Sequence, residues 1–233
     1  MTRIFVFGSG GRMGRAIAAI AGARDDVEIV DREPDVFIDF SVPSALDEHL
    51  NAAVAAGRPV LVGTTGLTDD HHRAIDEAAA KVAVLQAANT SFGVAVLRAL
   101  VEQAALLLGP DWDAEILEMH HRNKLDTPSG TALLLGASVN RGRGAESTTA
   151  LNRFDRMQEG PHEREKDGVY YASLRGGTVA GDHLVILAGD DERIELGHRA
   201  ESRSIFAKGA VRAALWLKDR PPGRYTMADV LGL

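Results

Sequence analysis

The densest chemistry in the chain lies in Glu118-Met119-His120-His121-Arg122-Asn123-Lys124-Leu125-Asp126-Thr127-Pro128-Ser129-Gly130-Thr131-Ala132. Two adjacent histidines are followed by Arg122, Lys124 and Asp126, and then by a Pro-Ser-Gly-Thr turn. Histidine titrates near neutrality, so it can deliver a proton under ordinary conditions. Lys124 is a compact cation suited to a carboxylate. Ser129 or Thr131 can cap a helix beginning at the turn. The N–H groups of Gly130 and Thr131, at the positive end of that helix, attract an anion. Together these residues describe a site for a carboxylate-bearing molecule with proton donors beside it. Two other readings compete. A metal site is poorly served, because adjacent histidines on a strand point opposite ways and no His-Glu-x-x-His or cysteine set completes a shell. An inert, solvated charged loop would need no ligand.

The elements that must position this cluster can be read from periodicity. Residues 112–119 read as a strand and 129–139 as a helix, which puts the charges on a strand-to-helix connection, where functional residues concentrate. A second candidate site opens the chain. Residues 4–7 form a short apolar run that enters Gly8-Ser9-Gly10-Gly11-Arg12-Met13-Gly14, and a helical pattern follows over 15–23. Glycines so spaced allow a tight turn, a close approach for a pyrophosphate, and close packing of helix on strand. Arg12, inside the turn, can reach a phosphate. Asp31 and Arg32, after a strand at 27–30, stand where a ribose hydroxyl or a 2′-phosphate is expected.

Another strand, 35–40, follows Arg32 almost at once, although a parallel crossover ordinarily needs a dozen residues. Either the first crossover helix is missing and the pairing is unusual, or one of the two runs is not a sheet strand. From Ser44 the alternation is regular: helix 44–56, strand 59–62, helix 68–81, strand 82–86, helix 91–108. Ligands of open α/β sheets bind beyond the carboxyl ends of the strands. That makes Gly63-Thr64-Thr65-Gly66 and Ala87-Ala88-Asn89-Thr90 candidate walls for a nicotinamide and its ribose, against the plain alternative of ordinary turns.

After Gly109-Pro110-Asp111 the pattern changes. A polar segment over 140–168 is expected to be a mobile or partner-contacting loop. Strands at 168–177, 183–188 and 193–200 then follow in succession, which points to an antiparallel or mixed sheet. The expected architecture is α/β: a Rossmann-like dinucleotide-binding domain over 1–110 and an α+β substrate and oligomerisation domain over 111–203. A helix at 204–218 and a short one at 226–231 are expected to pack back on the first domain.

Composition sets limits. The 233 residues carry a net charge of −7, which argues against a general nucleic-acid or anionic-membrane surface. No cysteine is present, so disulfides, iron–sulfur clusters and thiolate zinc sites are excluded. No apolar run approaches the ~20 residues of a membrane span. Residues 1–8 enter a strand directly, so no signal peptide is expected, and the protein reads as cytoplasmic.

The central stretch resembles the signature of the dihydrodipicolinate reductases (4-hydroxy-tetrahydrodipicolinate reductases). Their pattern is two histidines, a lysine three positions on, then Asp-Ala-Pro-Ser-Gly-Thr-Ala; here Thr127 replaces the alanine. The similarity extends through Gly8 to Gly14, Asp39-Phe40-Ser41, Gly63-Thr64-Thr65-Gly66, Ala87-Ala88-Asn89 and the segment from Ser202-Arg203 to Trp216. The resemblance implies reduction of a cyclic dicarboxylate, 4-hydroxy-2,3,4,5-tetrahydrodipicolinate, by NADH or NADPH in lysine and diaminopimelate synthesis.

It further implies that His120 is the acid, and Lys124 a second proton donor and carboxylate partner. His121, Ser129, Gly130 and Thr131 would then hold substrate, in a homotetramer built through the second domain's sheet. Two features depart from the family. The segment between Asp31 and the Asp-Phe-Ser strand is shortened, and Asn89-Thr90-Ser91 stands where Asn-Phe-Ser is usual. Two alternatives stand beside this reading. One is another two-domain nicotinamide reductase of an amino-acid-derived dicarboxylate; the other is a non-catalytic dinucleotide sensor.

Overall fold

The structure, a computed structural model, describes residues 1–155 and 158–233. It divides into two compact units, Met1–Phe92 with Ser204–Leu233, and Gly93–Arg203.

The first unit is built on a six-stranded parallel sheet. Its strands are β1 (Thr2–Phe7), β2 (Val27–Ile29), β3 (Val36–Asp39), β4 (Val60–Val62), β5 (Ala83–Gln86) and β11 (Gly223–Tyr225), in the order β11-β5-β4-β3-β1-β2. The central strands are continuous apolar runs because helices cover both faces. Those helices are α1 (Arg12–Gly22), α2 (Leu46–Ala56), α3 (Asp69–Ala79) and α6 (Ser204–Leu217), with the short α7 (Met227–Leu231) beyond. Helix α1 begins three residues earlier than its pattern predicts. Arg12 is therefore the first helical residue rather than part of the turn, and Gly11 is the N-cap.

Both disputed runs are sheet strands, and they flank β1. Strand β2 pairs with Thr2–Ile4 on one side, and β3 pairs with Ile4–Phe7 on the other. Ile29 and Val36 are thus level with the same residue, Ile4. A crossover helix normally carries the chain back along a full strand length; this stagger removes that requirement. Residues 30–35 need only cross two strand spacings, about 10 Å. The link is tied to the start of β1: the Arg3 guanidinium donates to the Arg32 carbonyl at 2.9 Å, and Asp35 N donates to Arg3 O at 2.8 Å. Next to it Phe5, Phe7 and Phe37 form a ring cluster, and His49 stacks on Phe7 at 3.9 Å between centroids.

The second unit carries a five-stranded mixed sheet. Its strands are β6 (Asp113–His120), β7 (Asn152–Arg153), β8 (Val169–Arg175), β9 (Asp182–Ala188) and β10 (Arg193–Arg199), in the order β10-β9-β6-β8-β7. Strands β6, β7 and β8 are parallel, and β9 runs against both β6 and β10. One face packs under α4 (Phe92–Leu108) and α5 (Gly130–Gly142), with Ala114, Ile116, Val169, Tyr171, Val185 and Leu187 in the core.

The expected loop over 140–168 is shorter than its polarity suggested. Residues 140–142 finish α5, and Asn152–Arg153 forms an edge strand. Buried Asn140 accepts Leu151 N and donates to Asn152, which ties the segment down. Arg156 and Met157, also in that expected loop, lie outside the described residues. Among the described residues no helix is long and apolar enough to cross a membrane.

Candidate active site

Side chains on β6 alternate in direction, and its buried positions are Ala114, Ile116, Glu118 and His120. The first two belong to the core. The last two carry that face into a polar zone, because register places Ser173 and His183 on either side of Glu118, and Arg175 beside His120. Glu118 is 1% exposed and accepts from every direction. His120 Nδ1 lies 2.5 Å from Oε2, the Arg175 guanidinium grips both oxygens at 2.8 Å, and Ser129 N donates to Oε1 at 3.2 Å. Burial alone pushes this carboxyl up. The hydrogen bonds from His120, Arg175 and Ser173 outweigh it and hold the group at about 2, so Glu118 is an anion.

An anion at Nδ1 selects one histidine tautomer. With Nδ1–H donated to Glu118, Nε2 of His120 is the atom that exchanges protons with a ligand. That nitrogen faces Gly181, where a side-chain Cβ would come within 2.9 Å. The His183 ring stands edge-on to His120 at 5.1 Å. Burial and the neighbouring His120 push His183 down to about 4, so it is neutral at physiological pH.

Ser129 is the N-cap of α5: its Oγ accepts Ala132 N at 3.2 Å and contacts His183 Nε2 at 3.1 Å. Gly130 and Thr131 open the helix behind it. Lys124 turns back onto Asp126, with both oxygens within 2.8 Å. His121, one residue past β6, meets Arg203, whose guanidinium donates to Nε2 at 2.8 Å. The structure therefore assembles His120, Ser129 and the start of α5, with Lys124 and His121 in the adjoining loop.

It also adds Glu118, Arg175, His183 and Arg203, which the sequence reading did not select. Glu118 could have been found from the two-residue strand period, since it shares a face with His120. Arg175 and His183 become neighbours only through strand register, and no local signal marks them; Arg203 opens the family-like segment near the end of the chain and is brought in by chain return.

In the first unit the glycines act through backbone approach. Gly8 has φ +74°, and a Cβ there would meet Phe40 O at 3.1 Å. A Cβ on Gly14 would lie 2.5 Å from backbone atoms of Gly8 and Ser9, which fixes how tightly α1 packs on the turn. Ser9, Gly10, Gly11 and Arg12 are exposed, with Met13 half-buried, at the start of a helix that has no side-chain cap and no acid in its first turn. A dinucleotide pyrophosphate fits such a terminus.

Beyond β3 and β4, Asp39 is fully buried and accepts Ser41 N at 2.8 Å, Ser41 Oγ at 2.6 Å and Thr64 Oγ1 at 3.1 Å, with His49 Nδ1 at 3.0 Å. Gly63 must lack a side chain, since a Cβ would lie 2.3 Å from the Phe40 ring. Thr65 and Ala88 are exposed, Asn89 is half-buried and Ala87 is buried. Thr90 is 1% exposed, and its hydroxyl donates to Phe206 O at 2.7 Å, so this side chain is committed to the packing of α6. Phe92 carries the Arg212 guanidinium on its ring. Asp31 and Arg32 sit in the β2–β3 link, beside Phe5, Phe37 and Arg58.

Known proteins resemble this chain over nearly its whole length. The family model described as "Dihydrodipicolinate reductase, N-terminus" matches residues 23–90, and "Dihydrodipicolinate reductase, C-terminus" matches residues 93–231. The chain is 49% identical to the 4-hydroxy-tetrahydrodipicolinate reductase of Zymomonas mobilis over 99% of its own length and 97% of that protein. It is 46% identical to the enzyme of that name from Acidiphilium cryptum, over 99% and 98%. The Zymomonas alignment spans 251 positions against 233 residues here, so that relative carries segments this chain lacks.

Among solved structures, a dipicolinate-bound dihydrodipicolinate reductase from Paenisporosarcina sp. TG-14 shares the fold with a TM-score of 0.78 at 22% identity, over 98% of both chains. A probable dehydrogenase from Thermotoga maritima follows at 0.59 and 13%, over 98% of this chain and 92% of that one. A match of this length and identity in sequence, with both domain models found in order, means that the chain belongs to the dihydrodipicolinate reductase family.

Proposed function

We propose that His120 is the proton donor in the family's reaction, the reduction of 4-hydroxy-2,3,4,5-tetrahydrodipicolinate to tetrahydrodipicolinate with loss of water. A reduced nicotinamide dinucleotide, when bound, supplies the hydride that arrives at substrate C4. Loss of the C4 hydroxyl as water and arrival of hydride leave an enamine, whose neighbouring carbon must take a proton. Protonated His120, with Nδ1–H anchored on Glu118, presents Nε2–H for that transfer and ends as the neutral imidazole. The observation that carries this reading is the Glu118–His120 pair, buried at the end of β6 beside a helix N-terminus.

The start of α5, at Ser129, Gly130 and Thr131, holds one substrate carboxylate. Lys124 and the His121–Arg203 pair supply cations for the other, and Lys124 serves as a second proton source once substrate draws it from Asp126. The dinucleotide lies on Gly8 to Met13, with Gly63 to Thr65 and Ala87 to Asn89 as its walls. The backbone clearances at Gly8, Gly14 and Gly63 support that placement. The same reading makes the protein a cytoplasmic homotetramer acting in lysine and diaminopimelate synthesis. Leu117, Met119, Leu174 and Leu184, which line a groove of about 390 Å³ on the second sheet, support assembly through that sheet.

The test is a steady-state assay in which dihydrodipicolinate synthase generates the substrate in place and oxidation of NADH and of NADPH is followed in parallel. Substrate-dependent oxidation is expected, and the ratio of the two rates measures cofactor preference. Protein that binds a dinucleotide yet oxidises neither would overturn the assignment.

A further inference from the structure

Arg175 closes β8 beside His120, and the reaction as described gives it no part. Its guanidinium holds Glu118 through two parallel contacts of 2.8 Å, and the same side chain donates to the Asp126 carbonyl at 2.7 Å. It therefore touches both the acid behind the proton donor and the backbone of the loop that carries Lys124.

The two contacts act through different physics. A lone buried carboxylate against an imidazole favours the imidazolium, which would make the donor a weak acid. A guanidinium on the same carboxylate offsets that bias, and an acid works best when its proton leaves near the working pH. The contact to Asp126 is geometric, since residues 121–128 form no helix or strand.

Among the described residues, the charged and titratable groups that bonding, register and the adjoining loop set against His120 are Glu118 on β6, Arg175 on β8, His183 on β9 with His198 behind it on β10, and Lys124 with Asp126 in the loop. Helix α5 brings no acid in its first turn, and His121 is turned to Arg203. Before substrate binds, Lys124 and Asp126 offset one another at 2.7 Å, and His183 is held neutral by its burial and by His120. That leaves Glu118 and Arg175 as the opposed charges that bear on the donor.

We propose that Arg175 is a positioning residue with two separable duties. Its charge sets the pH range over which His120 donates, and its bond to the Asp126 carbonyl holds the Lys124 loop for the substrate. This rests on the assignment of His120 as donor.

The experiment is the pH dependence of kcat and KM for wild type, Arg175→Gln and Arg175→Lys, with His120→Gln alongside. In wild type kcat falls on the alkaline side as the donor loses its proton. Arg175→Gln is expected to move that fall to higher pH by about one unit, and to raise the substrate KM about tenfold. Arg175→Lys keeps the charge but not the fork, so it should restore the position of the fall and leave KM high.

An unmoved fall in Arg175→Gln, or one moved to lower pH, overturns the charge duty. A KM returned to wild type by Arg175→Lys overturns the loop duty. Should Arg175→Gln not fold, Arg175→Lys decides alone: an unmoved fall with raised KM supports the proposal, and a moved fall or a wild-type KM refutes the corresponding duty. Full turnover by His120→Gln would instead sink the donor assignment itself.

Discussion

The two units build their candidate sites by opposite means. In the first, the candidate surface is mostly backbone: glycines at 8, 14 and 63 clear space, and the free start of α1 faces whatever lies there. Asp39, the one buried acid at these strand ends, spends its oxygens on Ser41, Thr64 and His49, shaping the crevice from behind. In the second, side chains from two strands and the backbone N–H of a helix cap converge on the single carboxylate of Glu118. A backbone cradle tolerates many neighbours so long as no Cβ intrudes. A charge network fails when any one partner is lost, because a buried, uncompensated charge is costly. Binding of a common cofactor suits the first device, and proton transfer to one substrate suits the second.

Four experiments would break or sharpen that contrast. The largest effect is expected at the donor: His120→Gln should lower kcat by about 10²- to 10⁴-fold with substrate KM nearly unchanged, as measured in the coupled assay. Retained turnover would remove the chemical side of the contrast.

Next comes Glu118→Gln, which should cost up to about 3 kcal/mol of stability at neutral pH by urea unfolding. The Glu118 carboxyl titrates lower in the folded protein, at about 2 against an ordinary 4.5. Its contribution is therefore complete above about 4.5 and lost as pH falls towards 2, and the gap between variant and wild type should close over that interval. A gap independent of pH would show that packing rather than charge is at stake.

A smaller loss is expected from Gly14→Ala. Its Cβ would meet backbone atoms at 2.5 Å, and backbone has no cheap way to yield. Dinucleotide affinity and thermal stability should both drop, the latter by about 1–3 kcal/mol. Gly10→Ala, with nothing within 4 Å, should leave thermal stability unchanged. Equal loss of stability in the two would mean that the close approach at Gly14 does not constrain the turn.

The smallest effect belongs to Thr90→Val, which loses only the bond to Phe206 O. About 1 kcal/mol of stability should go, with cofactor KM unaffected. A raised cofactor KM would return Thr90 to the cofactor wall.

Much of the fold is legible in the sequence. Contiguous signals read well: the glycine turn, the parallel strands as apolar runs, and the His120 to Thr131 stretch all depend on near neighbours in the chain. The link at residues 30–35 did not read well. The sequence shows that it is short, but only pairing shows that β2 and β3 engage different halves of β1, so that no return path is required. Thr90 shows the same dependence on distant residues, since a threonine at a strand end looks available until its hydroxyl is found donating to Phe206 O on α6.

By itself, then, the amino-acid order determined the family, the α/β plan, and the placing of His120 shortly before the start of a helix. Periodicity and local motif carry those facts. Tertiary structure alone decided who stands behind the donor. Arg175, His183 and Arg203 reach the His120–His121 pair from 54, 62 and 82 residues along the chain or more. Strand register, set by burial of one sheet face, is what turns Arg175 and His183 into neighbours, and the return of the chain after β10 brings Arg203.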